Sequence, residues 1–226
     1  MRKATPFVLG VMLLLALPPQ VARAQSLLFD YLGFDYEDPD PIPGSFGEPG
    51  SSYVGLGTVP GLFAPLAADT ATYQYTYVIS GLTVSSTTMY PPSYEVVDYG
   101  TGTLKIYEDA KSGGTPADYG TNPPNGTAPP TFTDGTLFLD AKLTGFQLIL
   151  NTATGTGSYE AVLEVTGGTQ FGNFGSQKKG WTFAGTTGNA LNIPSGYAHQ
   201  VDGQVYLNEP SPARRTSWGA IKKGYR

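Results

Sequence analysis

Two alternating segments constrain this chain more than any other feature. Thr136 to Leu150 and Ser158 to Val165 are joined by Thr152-Ala-Thr-Gly-Thr-Gly157. In the first, Phe146, Leu148 and Leu150 share one face, with Gln147, Ile149 and Asn151 on the other. In the second, Tyr159, Ala161, Leu163 and Val165 alternate with Ser158, Glu160 and Glu164, leaving Val162 out of phase in character. A period of two is what a pleated strand imposes on its side chains. Gly155 and Gly157 supply turn conformations that a Cβ would obstruct, so the pair reads as a hairpin. A lone hairpin is marginal in water, so further strands must cover its apolar face.

Much of the remaining chain offers such strands. Leu27–Tyr36 reads as a first strand and Thr72–Ser80 as a second, with Tyr73, Tyr75, Tyr77 and Ile79 on one face. Leu82–Thr88 follows, and Tyr94–Tyr99 with Gly102–Tyr107 suggests another hairpin around Gly100-Thr101. Short late strands are expected at Phe183, Leu191–Ile193 and Val201–Leu207, with a short one at Tyr53–Leu56 inside an otherwise looping stretch from Ser45 to Phe63. Lys111 to Pro130 reads as a long loop. With 30 Gly and 19 Pro punctuating these runs, and no sustained helical spacing, the expected class is all-β. The specific expectation is an antiparallel β-sandwich or jelly roll with long Gly/Pro-rich loops.

Residues 1–24 have the anatomy of a signal peptide: Arg2 and Lys3, the apolar run Phe7–Leu17, then Ala22-Arg-Ala24. Cleavage there starts the mature chain at Gln25, in a single domain over 25–208, and places it outside the cell or in the envelope. The chain has no cysteine, which removes thiolate nucleophiles and thiolate metal sites. Residues 25–208 carry 17 acids and 5 bases, net −12, whereas residues 209–226 carry a net +4. An acidic body repels phosphate backbones and argues against nucleic acid as a partner. No other run is long and apolar enough for a membrane-spanning helix.

Several residues are candidates for chemistry. Asp35, Glu37, Asp38 and Asp40, with Asp30 nearby, form an acidic cluster that could hold Ca²⁺, although the spacing is not that of an EF-hand loop. The competing reading is a solvated acidic loop. His199 is the single histidine, and no Gly-x-Ser-x-Gly elbow accompanies it. Glu160 and Glu164 could serve a glycosidase, but their alternation with apolar residues is how a half-exposed strand stays soluble. Tyr73, Tyr75, Tyr77, Trp181 and Tyr197 could stack on sugar rings, although aromatic stripes of period two are more often core. Asn125-Gly-Thr127 fits an N-glycosylation acceptor.

The C-terminal segment changes character. Glu209-Pro-Ser-Pro212 leads into a basic stretch holding Arg214, Arg215, Trp218, Lys222 and Lys223. A signal peptide, a Gly/Thr-rich β domain, then a Pro motif and basic end resembles bacterial exported proteins with PEP-CTERM-type sorting tags. Ser217-Trp-Gly-Ala-Ile-Lys222 also resembles the Trp-Gly-x-Ile-Lys endings of some secreted bacterial proteins. The transmembrane run that such tags carry between Pro motif and basic cluster is absent here. The resemblance implies a sorting or docking segment, and a physical reading of the same charges is attraction to anionic surfaces.

These readings favour a non-enzymatic, secreted or surface β protein that engages an envelope or matrix component in a structural or adhesive role. A carbohydrate-binding module is the alternative, and a jelly-roll hydrolase or lyase ranks below it.

Overall fold

The computed structural model describes residues 25–39, 46–120 and 130–208. The signal segment, Asp40, the Asn125 acceptor and the basic tail lie outside the described residues. Nine strands form one antiparallel sheet: β1 (Gln25–Asp38), β2 (Ser52–Leu62), β3 (Tyr73–Tyr90), β4 (Tyr94–Tyr99), β5 (Gly102–Ala110), β6 (Thr136–Asn151), β7 (Thr156–Gly167), β8 (Trp181–Gly188) and β9 (His199–Asn208). Two short 3₁₀ turns, Pro130–Phe132 and Phe171–Phe174, are the only helical elements among the described residues.

The sheet closes on itself, which corrects the sandwich or jelly-roll expectation. The strand order runs β2-β1-β9-β8-β7-β6-β4-β3-β5, and β2 pairs again with β3 and β5 with β6. The result is a closed eight-strand barrel, with β4 as an extra strand. Tyr94–Tyr99 and Gly102–Ala110 are therefore not a hairpin. Both run antiparallel to β6 in one continuous register, from Tyr94↔Asn151 through Asp98↔Gln147 to Ile106↔Leu139, so they lie end to end on one stave. The long partner hairpin is β3 against β4 and β5, turning at Pro91-Pro92. Closure gives each described strand a neighbour on both sides, which removes the open edges a sandwich would leave.

The β6–β7 hairpin forms as its alternation dictates. Tyr159, Ala161, Leu163 and Val165 are buried, and Val162 is 52% exposed. On β6 the buried phase switches from Leu139, Ala141 and Leu143 to Phe146, Leu148 and Leu150. A bulge makes the switch, because Gly145 and Phe146 together oppose Ala161, and Gly145 takes φ 64°. β3 switches phase at the same level, from Tyr77 and Ile79 to Leu82, through Gly81 at φ 78°.

An eight-strand barrel leaves an interior just wide enough for side chains to fill. Here aromatic rings fill it. Tyr31 stacks on Phe183 at 4.7 Å, Phe183 on Tyr159 at 5.6 Å, and Tyr159 on Phe146 at 5.5 Å. Tyr77 meets Tyr31 edge-on at 5.4 Å, and Tyr53 and Tyr99 reach Phe146 at 5.0 and 5.3 Å. Glycines on the facing strands make room for the phenol ends: Gly203 lies under the Tyr31 hydroxyl, Gly185 under that of Tyr159, and Gly33 under that of Tyr77. β2 is a full strand rather than the loop that Gly55, Gly57, Pro60 and Gly61 suggest, and at Gly57 the absent side chain lets its backbone approach Leu32 and Gly33 of β1. A second, outer cluster of Tyr36, Leu56, Phe132 and Tyr197 packs beneath the residues around Tyr119 and Ile193.

A Cβ at Gly203 would run into the Tyr31 hydroxyl and the Ala184 carbonyl, whereas one at Gly172 meets nothing within 4 Å. Gly203→Ala is expected to lose about 1–3 kcal/mol, the usual cost of overpacking. Gly172→Ala should stay within about 0.5 kcal/mol of the parent. Urea unfolding of both variants checks this, and equal midpoints would remove the packing argument.

Candidate functional site

Strand alternation separates the acidic cluster. Asp35 and Glu37 point into one end of the barrel, 0% and 1% exposed, while Asp38 occupies the opposite face and is partly exposed. Among the described residues no three His, Cys, Asp or Glu side chains come together as a metal-ligating group. The Asp35 carboxylate accepts from the His199 backbone N–H (3.0 Å) on Oδ1 and from the Thr187 hydroxyl (3.2 Å) on Oδ2. His199 Nδ1 lies 3.3 Å from the same Oδ1, near enough for electrostatic attraction but without hydrogen-bond alignment. The imidazole packs 5.0 Å from Phe46 and is 4% exposed, so this Asp–His pair is sealed from any external substrate.

Glu37 sits beside it with a different task. Both of its oxygens accept from the Gly47 N–H at 3.1 Å, and Oε1 also accepts from the Tyr99 hydroxyl at 2.6 Å. The Gly47 carbonyl in turn accepts from the Thr87 hydroxyl at 2.6 Å, so residues 46 and 47 are held across the barrel end. Burial pushes the Glu37 carboxyl up to about 7, assisted by nearby Glu48 and opposed by the Tyr99 and Gly47 hydrogen bonds. The Tyr99 phenol is driven well above its ordinary value by burial first and by Glu37 second. The cluster fastens a closing segment onto the barrel.

The proposed sugar platform is placed mostly inside. Tyr75 and Tyr77 face the interior, and Trp181 is buried with its indole N–H donating to the Gln177 carbonyl at 3.0 Å. Tyr197 lies in the outer cluster with its hydroxyl on the Tyr119 carbonyl at 2.9 Å. Tyr73 is half-buried beside Pro60 and Lys111. Inward positions of an aromatic strand become core, which is the commoner fate of such a stripe. Glu160 and Glu164 point outward as their alternation requires, and Glu164 pairs with Lys179 at 2.9 Å.

The outer wall carries a site that the strand pattern alone does not reveal. A groove of about 580 Å³ opens across β4, β6, β7 and β8. It is lined by Gly145, Ser158 and Ala184, with small or absent side chains, by Asp98, Gln147, Ile149 and Glu160, and by Tyr99, Phe146, Tyr159 and Gly185 of the same strands. The Gly145 bulge creates the depression, since it puts a residue without a side chain on the outer face. Asp98 is held in place by the Ser86 hydroxyl on Oδ2 (2.9 Å) and the Gln147 amide on Oδ1 (2.8 Å). Two rungs farther along β4, outside the groove lining, stand Tyr94 and Tyr90, a cross-strand pair 47% and 56% exposed. Comparison with known protein families, with curated proteins and with solved structures returns no match to this chain.

Glu37 gives the folded state a pH dependence. Its folded pKa of about 7 exceeds the ordinary 4.5, so between these values the folded protein keeps a proton that the unfolded chain has released. Its contribution to stability is complete below about pH 4.5 and is lost as pH rises through about 7. Glu37→Gln keeps an acceptor for Gly47 and Tyr99 but does not titrate, and should flatten this decline. Urea midpoints of parent and variant across that range test it, and parallel curves would count against it.

Proposed function

We propose that this protein is an exported, non-catalytic β-barrel that binds an envelope or matrix component through its outer wall. The carrying observation is the division between the two sides of the sheet. The interior is filled by packed rings from Tyr31 to Phe146 and offers structural support rather than a substrate chamber. The outer wall carries the polar and charged side chains, Lys142, Gln147, Glu160, Asp202 and Gln204 among them. A lipid-embedded barrel needs the reverse, an apolar band facing outward. Among the described residues, no helix is long and apolar enough to cross a membrane.

Burial of His199 against Asp35 and Phe46 weighs against triad chemistry, and Glu160 and Glu164 stand four residues apart on one strand rather than facing each other across a cleft. The sequence supports export through the signal-peptide pattern of residues 1–24 and retention through the basic segment with Trp218. Intact mass and cell fractionation of the native protein test the reading. The expected result is a mature chain beginning at Gln25, in the envelope or medium. A cytoplasmic protein retaining its first 24 residues, or turnover across a hydrolase panel, would overturn it.

A further inference from the structure

We propose that the outer groove, together with the exposed tyrosine pair two rungs along β4, binds a neutral polysaccharide chain, with Tyr90 and Tyr94 as the stacking surface and Asp98, Gln147 and Glu160 as the hydrogen-bonding groups. This inference rests on the reading of the protein as a surface or matrix binder and names the ligand class of that binding.

Register sets the layout. Three cross-strand rungs share the outer face: Tyr90, Tyr94 and Asn151; Thr88, Val96, Ile149 and Ser158; and Ser86, Asp98, Gln147, Glu160 and Ala184. The first two rungs present aromatic and aliphatic surface edged by hydroxyl and amide groups. The third presents carboxylates and an amide. A pyranose has the complementary character, with C–H faces that lie on apolar surface and equatorial hydroxyls that need acceptors and donors in the ring plane. Tyrosine offers a rigid amphipathic surface, while Asp and Glu accept and Gln both donates and accepts. Asp98 is already immobilised by Ser86 and Gln147, so binding orders little that is not ordered beforehand.

Size and charge exclude the competing occupants. Four residues along β4 span about 14 Å, and four strand steps from β3 to β8 span about 19 Å. That footprint, roughly 270 Å², is about a third of what each partner buries in a standard protein interface. Strand addition by a peptide needs a free sheet edge, and the strands under the groove, β4, β6, β7 and β8, are each paired on both sides. The groove lining holds Asp98 and Glu160 and no lysine or arginine, so uronate-rich and sulfated chains are repelled.

Affinity electrophoresis in native gels containing laminarin, xyloglucan, hydroxyethylcellulose or alginate tests the proposal on the mature chain. Retardation is expected on at least one neutral polymer and not on alginate. Tyr94→Ala and Gln147→Ala should each weaken it at least tenfold, Tyr94→Trp should restore it, and Leu191→Ala, fully exposed outside the groove, should leave it unchanged. No retardation on any neutral polymer, retardation on alginate alone, or retardation indifferent to Tyr94→Ala and Gln147→Ala would overturn the site. Envelope or matrix retention of the parent, followed in parallel, separates the two readings. Retention without glycan binding removes the groove and leaves the surface role, whereas loss of both removes both.

Discussion

The fixed width of the barrel interior is the constraint on which the rest depends. Eight staves enclose a space that side chains fill only if large and small residues face one another. Here the large ones are tyrosine and phenylalanine, and the small ones are glycines on the neighbouring stave or the one beyond it. Tyr31 needs Gly203, Tyr159 needs Gly185, and Tyr77 needs Gly33. Neither member of a pair makes sense alone. A tyrosine without its glycine would be pushed off its rotamer, and a glycine without its tyrosine would leave a void and a weakened strand.

The same use of glycine shapes the outer wall. Gly81 on β3 and Gly145 on β6 have positive φ where the inward phase changes, and Gly102, opposite Leu143 on the stave between, begins a new inward run with Leu104 and Ile106. A phase change turns the sheet and lets a long strand such as β6 serve two inward runs. It also leaves an outward position without a side chain. At Gly145 that gap lies among Asp98, Gln147 and Glu160, so the device that bends the barrel also makes its groove. Curvature and groove share one cause.

Strand content and strand phase were legible because alternation reports directly on burial. The β7 pattern, down to the exposed Val162, follows from the residues alone. Closure was not legible, because inward alternation is identical in a sandwich and a barrel, and the distinction rests on β2 pairing with β3. β2 itself was obscured by Gly55, Gly57, Pro60 and Gly61, which signal loop locally, whereas the close approach of Gly57 to Leu32 and Gly33 on β1 requires a residue without a Cβ. Tyr94–Tyr99 and Gly102–Tyr107 looked like a hairpin because Gly100-Thr101 resembles a turn. Only the unbroken register with β6 shows the two to be collinear. The groove was hidden for a related reason: Asp98, Gln147 and Glu160 are far apart in sequence and meet through pairings that cross three strands.

The carboxylates show why local clustering misleads in a strand protein. Asp35, Glu37 and Asp38 are neighbours in sequence, yet a two-residue period sends the first two inward and the third outward. Inside, each carboxylate must be met by donors, and the chain supplies them from four separate places: His199, Thr187, Gly47 and Tyr99. Burial without such partners would cost several kcal/mol per group. The acids thereby join β1 to β9, β8, the covering segment and β4 at one end of the barrel. Asp98 and Glu160, distant in sequence, come to the same groove on the outer wall, where they are open to water. Position relative to the sheet, rather than proximity along the chain, decides whether a carboxylate serves as a structural tie or lies open on the outer wall.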